Sequence, residues 1–291
     1  MQARLEGEND QGLKQYLTAN AWNEYTKKGS LKLKGTSNPH FTGYNIKKSS
    51  VQANNRFLYE VNLQSAYYGQ PYADNSTEGI VVQFNGGQYL VAGAELINRI
   101  TVLNLNKTLK LKSTDKTEQL LKITQLPNEF SPQGASTETR FGFGKDDFGI
   151  LAISSDNKKV AFGTRGIHSG LGWLDITNTR QSKLNLLDLL FESNINVLVF
   201  SVDGHYLAVE YNGPTGNKGV RVYDTERNKL MDFGINNSFP PDKYSLSLKY
   251  WDYSNLKFQV SPGEGIKDVD QNDLGNWELN TQTGEIMKLL E

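Results

Sequence analysis

The sequence predicts an α+β N-terminal domain, in which a helix packs on a curved antiparallel sheet, followed by an all-β C-terminal domain built from repeated units. Three observations predict this. Apolar residues first recur at the helical period, then alternate along several segments, and finally the same strand–turn–strand pattern returns at a spacing of forty to fifty residues. We expect the first domain over residues 1–98 and the second over residues 99–291, with residues 113–147 as a linker or long loop.

The segment with helical periodicity covers residues 5–28. Its apolar residues fall on one face of a helix, and Gly29 follows as a typical terminating residue. A break at residues 7–10 predicts a short stub before the main helix. The apolar positions on that face are Leu13, Tyr16, Leu17, Ala21 and Tyr25.

Four strands are predicted next, over residues 44–48, 56–64, 79–84 and 89–96. The last two are joined by Asn85, Gly86 and Gly87, which suit a short hairpin loop because glycine and asparagine accept a positive φ. Alternation indicates one buried face, so the helix is expected to cover it. Residues 100–112 alternate again and predict a further, degenerate hairpin.

Three short stretches of this region are Ala-Arg-Leu-Glu-Gly at 3–7, Leu-Lys-Gln-Tyr-Leu-Thr at 13–18 and Gly-Gln-Tyr-Leu-Val at 87–91. In this order, with four strands between, they resemble the nuclear-transport-factor-2-like domains of exported bacterial proteins. The resemblance implies a cone-shaped sheet over residues 1–98, with a truncated first helix. Such domains include enzymes, binding proteins and scaffolds.

The second domain is predicted from a pattern present twice and, more weakly, a third time. Two apolar runs bracket a turn at Asp156 and again at Asp203, and each hairpin leads to a strand that ends in an acid, Asp175 and Asp224. The third unit is centred on Asp252. A period of roughly forty to fifty residues with about four strands per unit is typical of propeller blades. We therefore expect about three to four propeller-like blades.

The residues Phe-Ser-Val-Asp-Gly at 200–204 and Val-Tyr-Asp at 222–224 resemble the blades of TolB-like and WD-repeat-type β-propellers. This resemblance covers about half the chain and implies a partial β-propeller. The array is either partial or completed by the degenerate hairpin at residues 100–112.

Composition excludes several classes of partner and chemistry. Thirty-one basic and 32 acidic residues give a net charge of −1, which favours neither nucleic acid nor an anionic membrane. The absence of cysteine excludes disulfides, thiolate metal sites and a cysteine nucleophile. No run of residues resembles a membrane helix or a signal peptide. Because Met1 leads directly into a helical pattern, we expect a removed export segment, an extracytoplasmic location, and membrane contact only through a lost anchor or signal.

Two loops of the repeat region contain candidate binding residues. Asp146 and Asp147 lie beside a lysine in a glycine-rich turn, where carboxylates can bind a cation, although a solvated turn is the simpler interpretation. Arg165 and His168 lie in a second glycine-rich loop, which lacks the strand-to-helix context of a phosphate site; a long blade loop is the alternative. Tyr211 can stack on a sugar or peptide, or belong to the core.

No catalytic, metal or cofactor site is predicted. The acidic stretch at residues 268–273 fails the helix–loop–helix calcium signature at both diagnostic positions, and no serine-hydrolase elbow or zinc-protease helix motif is present.

We therefore favour a non-enzymatic, extracytoplasmic binding or interaction protein, whose partner is another envelope protein or a small ligand. One alternative is an envelope-associated hydrolase that uses Asp146 and Asp147 together with Arg165 or His168, which requires these groups to meet in one cleft. Another is a purely structural scaffold, which requires a large exposed apolar patch.

Overall fold

The computed structural model describes residues 10–28, 40–52, 55–136 and 138–289. These contain three short α-helices: α1 (Asp10–Lys14), α2 (Ala19–Lys28) and α3 (Ile235–Ser238). The first eight strands are β1 (His40–Gln52), β2 (Arg56–Ala66), β3 (Tyr72–Asn85), β4 (Gln88–Asn104), β5 (Thr108–Lys112), β6 (Thr117–Lys122), β7 (Glu129–Phe130) and β8 (Phe141–Gly142). The remaining strands are β9 (Asp147–Ile153), β10 (Lys159–Arg165), β11 (Ser169–Asp175), β12 (Lys183–Leu190), β13 (Asn194–Phe200), β14 (Tyr206–Asn212), β15 (Lys218–Asp224), β16 (Lys229–Met231), β17 (Tyr244–Asp252), β18 (Asn255–Pro262), β19 (Gly275–Asn280) and β20 (Ile286–Lys288).

These strands form antiparallel sheets in which each strand pairs with its neighbour along the chain. Strands β1–β6 form one six-stranded sheet, here called the front sheet, and β7 pairs with β8. Three four-stranded sheets follow: the first blade (β9–β12), the second blade (β13–β16) and the third blade (β17–β20). None of the helices within the described ranges is long and apolar enough to span a membrane.

The prediction of an α+β N-terminal domain is wrong. The structure is 56% strand and only 10% helix, so the fold is all-β with several sheets. The prediction failed because the strands are longer than the alternating segments. Strands β1 to β4 are 13, 11, 14 and 17 residues long, and they continue through polar positions where the alternation of apolar residues stops. Asn75 and Ser76, for example, are buried within β3 although they resemble loop residues in sequence.

The front sheet does not support the resemblance to nuclear-transport-factor-2-like domains, because it continues past residue 98 to Lys122. The predicted domain boundary falls within β4. The predicted main helix starts later than expected, at Ala19, and the Thr18 hydroxyl accepts a hydrogen bond from the Ala21 amide at 3.2 Å. Before it, residues 16–18 pair with Val91 of β4. The predicted stub, at residues 2–8, lies outside the described residues.

The hairpins predicted from the repeat are confirmed. Ser154 Oγ donates to Asp156 Oδ1 at 2.6 Å, and Ser201 Oγ donates to Asp203 Oδ1 at the same distance. This bond closes the turn between the first two strands of the blade, so serine and aspartate recur two residues apart. The residue after the aspartate has a positive φ in both copies, Asn157 at 60° and Gly204 at 71°.

The acid at the end of the third strand also has a local function. Asp224 Oδ1 accepts hydrogen bonds from the Glu226 and Arg227 amides at 2.9 and 2.8 Å. Asp175 accepts the Thr177 amide at 2.9 Å, and this bond holds the pKa of Asp175 below its ordinary value. In the third blade Asn280 accepts equivalent bonds. The repeat thus preserves a side-chain acceptor that caps the turn.

Apolar layers lie between successive sheets. Along β9, Leu151 and Ile153 belong to the core shared with the front sheet, whereas Ile150 and Ala152 belong to the core shared with the second blade. Both faces of this strand are therefore buried. The layer between the second and third blades contains Trp251, which is fully buried and donates its indole N–H to the Val199 carbonyl at 3.1 Å.

Polar contacts attach the front sheet to the turns of the first blade. Asn75 Nδ2 donates to the Ser154 carbonyl at 2.6 Å, and Asn62 Nδ2 donates to the Ser155 carbonyl at 3.2 Å. All four residues are buried. Each amide therefore adds a buried hydrogen bond between the front sheet and a blade turn, and the Ser154 carbonyl also accepts the Asn157 amide at 2.9 Å.

The front sheet also reaches the other two blades. The Gly69 amide donates to the carbonyl of Asn196 in the second blade at 3.0 Å. Tyr44 in β1 lies close to Asp252 at the end of β17. The pKa of Tyr44 is raised, mainly by burial and to a lesser extent by the Asp252 carboxylate. The front sheet thus contacts all three blades.

We expect Asn75→Ala to lower the free energy of unfolding by about 1–3 kcal/mol, because it removes the hydrogen bonds of the buried Asn75 amide to the Ser154 carbonyl and to Asn157 Oδ1. Urea unfolding followed by circular dichroism measures the change. Asn23→Ala, at an exposed position of α2, is the matched control and should change stability by less than about 0.5 kcal/mol. Equal stability of the two variants would contradict the proposed contact.

Candidate functional site

A cavity of about 580 Å³ lies against the first and second blades. Its apolar wall includes Leu189, Leu190 and Phe191 from the end of β12 and Tyr211 from β14. Arg221, on β15, supplies a cation to this wall, and the loops at residues 132–135 and 213–217 complete the opening. The cavity is therefore a mostly apolar recess with one guanidinium in its wall and the carboxylate of Asp242 at its rim.

Asp188 anchors the site from beneath. It lies in β12 with no exposed surface, and its Oδ1 accepts the Gln133 and Leu189 amides, each at 2.8 Å. Its Oδ2 accepts Arg221 Nη1 at 2.9 Å and the Tyr223 hydroxyl at 2.6 Å. Four donors therefore converge on one buried carboxylate, as a buried charge requires.

Gln133 connects this carboxylate to the loop at residues 132–135. Its side-chain amide donates to the Leu187 carbonyl at 2.9 Å and to the Asn228 carbonyl at 3.0 Å. Asn228 in turn accepts the Trp173 indole N–H at 2.8 Å. The rim of the cavity is thus fixed to both blades by hydrogen bonds.

Arg221 is held on two sides. Asp188 accepts one of its N–H groups, and the guanidinium carbon lies 5.2 Å from the centre of the Tyr211 ring, within the range of a cation–π contact. The Tyr211 ring lies against Gly219, its partner in β15, where an added Cβ would come within 2.7 Å of the ring. A glycine at this position therefore sets the position of Tyr211.

Tyr223 is fully buried beside the Asp188 carboxylate. Burial, reinforced by the neighbouring Asp188 carboxylate, raises the pKa of Tyr223 well above its usual range. Tyr223 therefore acts as a hydrogen-bond donor to Asp188 throughout the physiological pH range.

Of the five residues proposed from the sequence, Tyr211 lines the cavity. Asp146 is exposed, and its amide donates to the Arg165 carbonyl at 3.0 Å. Asp147 pairs with Arg165 across β9 and β10. The structure therefore brings Asp146, Asp147 and Arg165 together at one end of the first blade, and none of the three lines the cavity.

The side chains of Asp147 and Arg165 bind the front sheet. Asp147 Oδ1 accepts Asn104 Nδ2 at 2.7 Å, and an Arg165 guanidinium N–H donates to the Gly69 carbonyl at 2.9 Å. These contacts give both residues a role in attaching the two sheets.

His168 lies behind the cavity wall. Its Nδ1 accepts the Glu192 amide at 3.3 Å, and its ring packs edge-on against Phe191, with 4.7 Å between ring centres. Phe191 lines the cavity and His168 does not. His168 thus supports a residue of the site.

Sequence reasoning missed Asp188, Arg221 and Gln133. A signal for Asp188 was present, because it is the single charge within Leu-Leu-Asp-Leu-Leu at 186–190, and a charge in an apolar strand requires a buried partner. Nothing local identified Gln133, because its role depends on residues more than fifty positions away. Among the described residues, no cluster of three or more potential metal ligands occurs.

We expect Asp188→Asn to lower the free energy of unfolding by about 3 kcal/mol or more, because it removes one partner of a buried ion pair and places an NH₂ group among donors. Chemical denaturation measures the loss. Asp242→Asn, at the exposed rim of the same cavity, removes the same charge and should cost less than about 0.5 kcal/mol. Similar losses in both variants would show that Asp188 is not a structural anchor.

Tyr223 should make the protein less stable at alkaline pH. Below about pH 10 this tyrosine is protonated in both the native and unfolded states; above it, only the unfolded state loses the proton readily. Stability should therefore fall by about 1.4 kcal/mol per pH unit more in the wild type than in Tyr223→Phe. Urea unfolding at pH 9 and pH 11 tests this difference, and identical pH dependence in the two proteins would refute it.

No protein-family model matches the sequence, and no curated protein matches it. β-Propeller and TolB proteins are among the solved structures to which the chain is similar. The β-propeller domain of Swd1 from Myceliophteria thermophila shares 8% identity over 75% of this chain and 96% of that one, with a TM-score of 0.30. TolB from Acinetobacter baumannii shares 10% identity over 91% of this chain and 69% of the TolB chain, with a TM-score of 0.31.

A puromycin hydrolase shares 10% identity with this chain, over 82% of it and 46% of the hydrolase, with a TM-score of 0.37. TM-scores this low assign neither a fold nor a function. The description of the blades therefore rests on their own sheets.

Proposed function

We propose that this chain is a non-enzymatic binding protein, and that the cavity against the first and second blades takes a ligand with an anionic group beside an apolar group. The observation that carries this proposal is Arg221, which is fixed by Asp188 and Tyr211 while 30% of its side chain remains exposed. A positioned guanidinium in an apolar recess is a typical anion-binding element.

The chemistry of Arg221 supports an anionic ligand. A guanidinium has five N–H donors in a fixed plane and binds carboxylates with two parallel hydrogen bonds. Its tether to Asp188 lowers the entropic cost of ordering the side chain when a ligand binds. A carboxylate is therefore the anion that fits this site best.

The rest of the wall supports an apolar group next to that anion. Phe191 is 36% exposed, and Leu189, Leu190 and Pro132 also line the recess. A volume of about 580 Å³ lies within the usual range of about 300–1,000 Å³ for small-ligand pockets. A single amino-acid side chain or a small aromatic acid fits this space.

A catalytic role has less support. The cavity wall, as far as the described residues define it, contains no histidine, lysine or cysteine, and its Ser193 hydroxyl donates to the Phe191 carbonyl at 2.5 Å. A serine nucleophile needs a base that accepts its proton, whereas the Ser193 hydroxyl is held by a backbone carbonyl. These features favour binding over hydrolysis.

We also propose an extracytoplasmic location and an envelope partner, on the strength of the sequence resemblance to TolB-like blades alone. Fractionation of cells that express the natural gene tests this part separately.

Binding of N-acetyl-phenylalanine tests the cavity, with N-acetyl-phenylalaninamide as the neutral counterpart. We expect the acid to bind at least about tenfold more tightly than the amide, since hydrogen bonds to charged groups contribute about 1.5–3 kcal/mol. Titration followed by two-dimensional NMR should show shifts at Phe191, Tyr211 and Arg221. Equal binding of the two compounds, or shifts elsewhere only, would contradict the proposal.

Two variants locate the site. Arg221→Gln should abolish the preference for the acid. Gly219→Ala should weaken the binding of both compounds, because the new methyl group displaces the Tyr211 ring. This substitution leaves the ion pair between Asp188 and Arg221 intact. Gly142→Ala adds a methyl group in open space and is the control, with unchanged binding.

A further inference from the structure

The second edge of β4 is paired at both ends and open between them. At one end Val91 exchanges backbone hydrogen bonds with residues 16–18, and at the other end Thr101 begins the pairing with β5. Within the described parts of the chain, no strand pairs with this edge over residues 92–100. Its backbone amides and carbonyls can therefore accept a further strand.

The sequence of this edge lacks two of the residues that usually protect exposed strands. Residues 92–98 read Ala-Gly-Ala-Glu-Leu-Ile-Asn and contain neither lysine nor proline, and the exposed Glu95 is the single charged residue among them. Bulges at either end of residues 93–96 limit the regular stretch, which fits a short added strand. Leu96 and Ile97 are 51% and 58% exposed, more than a strand interior normally leaves.

A second cavity, of about 550 Å³, lies at the corner where β5 leaves β4. Leu96 and Ile97 form part of its apolar wall, and Arg99 and Lys112 supply two cations. Arg99 Nε lies 4.0 Å from the buried Asp74 carboxylate, which holds the side chain near the corner. The corner therefore combines an open backbone edge, apolar side chains and positive charge.

We propose that the open edge of β4 binds an extended acidic segment of a partner protein as an added strand. The backbone of the segment would hydrogen-bond to β4, an apolar side chain would pack on Leu96 or Ile97, and a carboxylate would face Arg99 and Lys112. Strand addition of this kind takes affinity from backbone hydrogen bonds and specificity from side-chain pockets. This surface is separate from the cavity at Arg221, so the inference does not depend on the proposed small-ligand function.

An acetylated, amidated hexapeptide of alternating valine and glutamate is the probe, added to the full chain and followed by backbone amide NMR. Two comparison peptides isolate the two components of recognition. The valine–lysine analogue reverses the charge, and the valine–glutamate peptide with N-methyl groups at alternate amides removes backbone donors.

We expect shifts at residues 92–99 and 112–114 with the acidic peptide, and binding at least about threefold weaker with either analogue. The resonances of Tyr211 and Phe191 should not move, which distinguishes this site from the other cavity. Equal binding of all three peptides, shifts confined to another edge, or no binding at millimolar peptide would overturn the proposal.

Lys112→Glu should weaken the acidic peptide by about threefold or more, because it places a like charge at the corner. Lys107 is exposed in the turn between β4 and β5, and Lys107→Glu is the control variant. It changes the net charge by the same amount and should leave binding of the acidic peptide unchanged. If both variants weaken binding equally, attraction is general and the assigned corner is wrong.

Discussion

The first blade has two apolar faces, and burial of both is the constraint on which the rest of the structure depends. The second blade covers one face. The other, with Leu151, Ile153 and Phe162, is covered by Ala73 and Val102 of the front sheet. A blade cannot bury both faces alone, so the front sheet is part of the fold of the repeats. The amide contacts of Asn62 and Asn75 then fix its register against the blade turns.

Both proposed sites follow from this arrangement. The Arg221 cavity lies beside β12 of the first blade and β15 of the second. Asp188 on β12 is buried, and its charge is balanced by hydrogen bonds from Arg221 and Tyr223 on β15. The open edge arises on the front sheet, whose strands are much longer than the seven or eight residues typical of the blades. Over residues 92–100, no strand within the described part of the chain pairs with this edge of β4. The same fold therefore contains both the buried Asp188 carboxylate beside the Arg221 cavity and the open edge of β4.

Local interactions made part of this fold predictable. The Ser-x-Asp turns and the capping acids appear in the sequence as a repeat because each forms hydrogen bonds within a few residues. The front sheet was misassigned because β2 and β3 bury polar side chains such as Asn62 and Asn75, whose partners are about eighty to ninety residues away. Asp188 left a local signal, an acid within an apolar strand, but its partners Arg221 and Tyr223 could be identified only from the stacking of the blades.

Hydrogen exchange of the full chain in increasing, sub-denaturing urea tests most directly whether the front sheet and the blades form one cooperative unit. We predict that the amides of β2 and β3 lose protection at the same urea concentration as those of β9 and β10, because neither sheet keeps its buried face without the other. Loss of protection in β2 and β3 at clearly lower urea, with β9 and β10 still protected, would contradict the account.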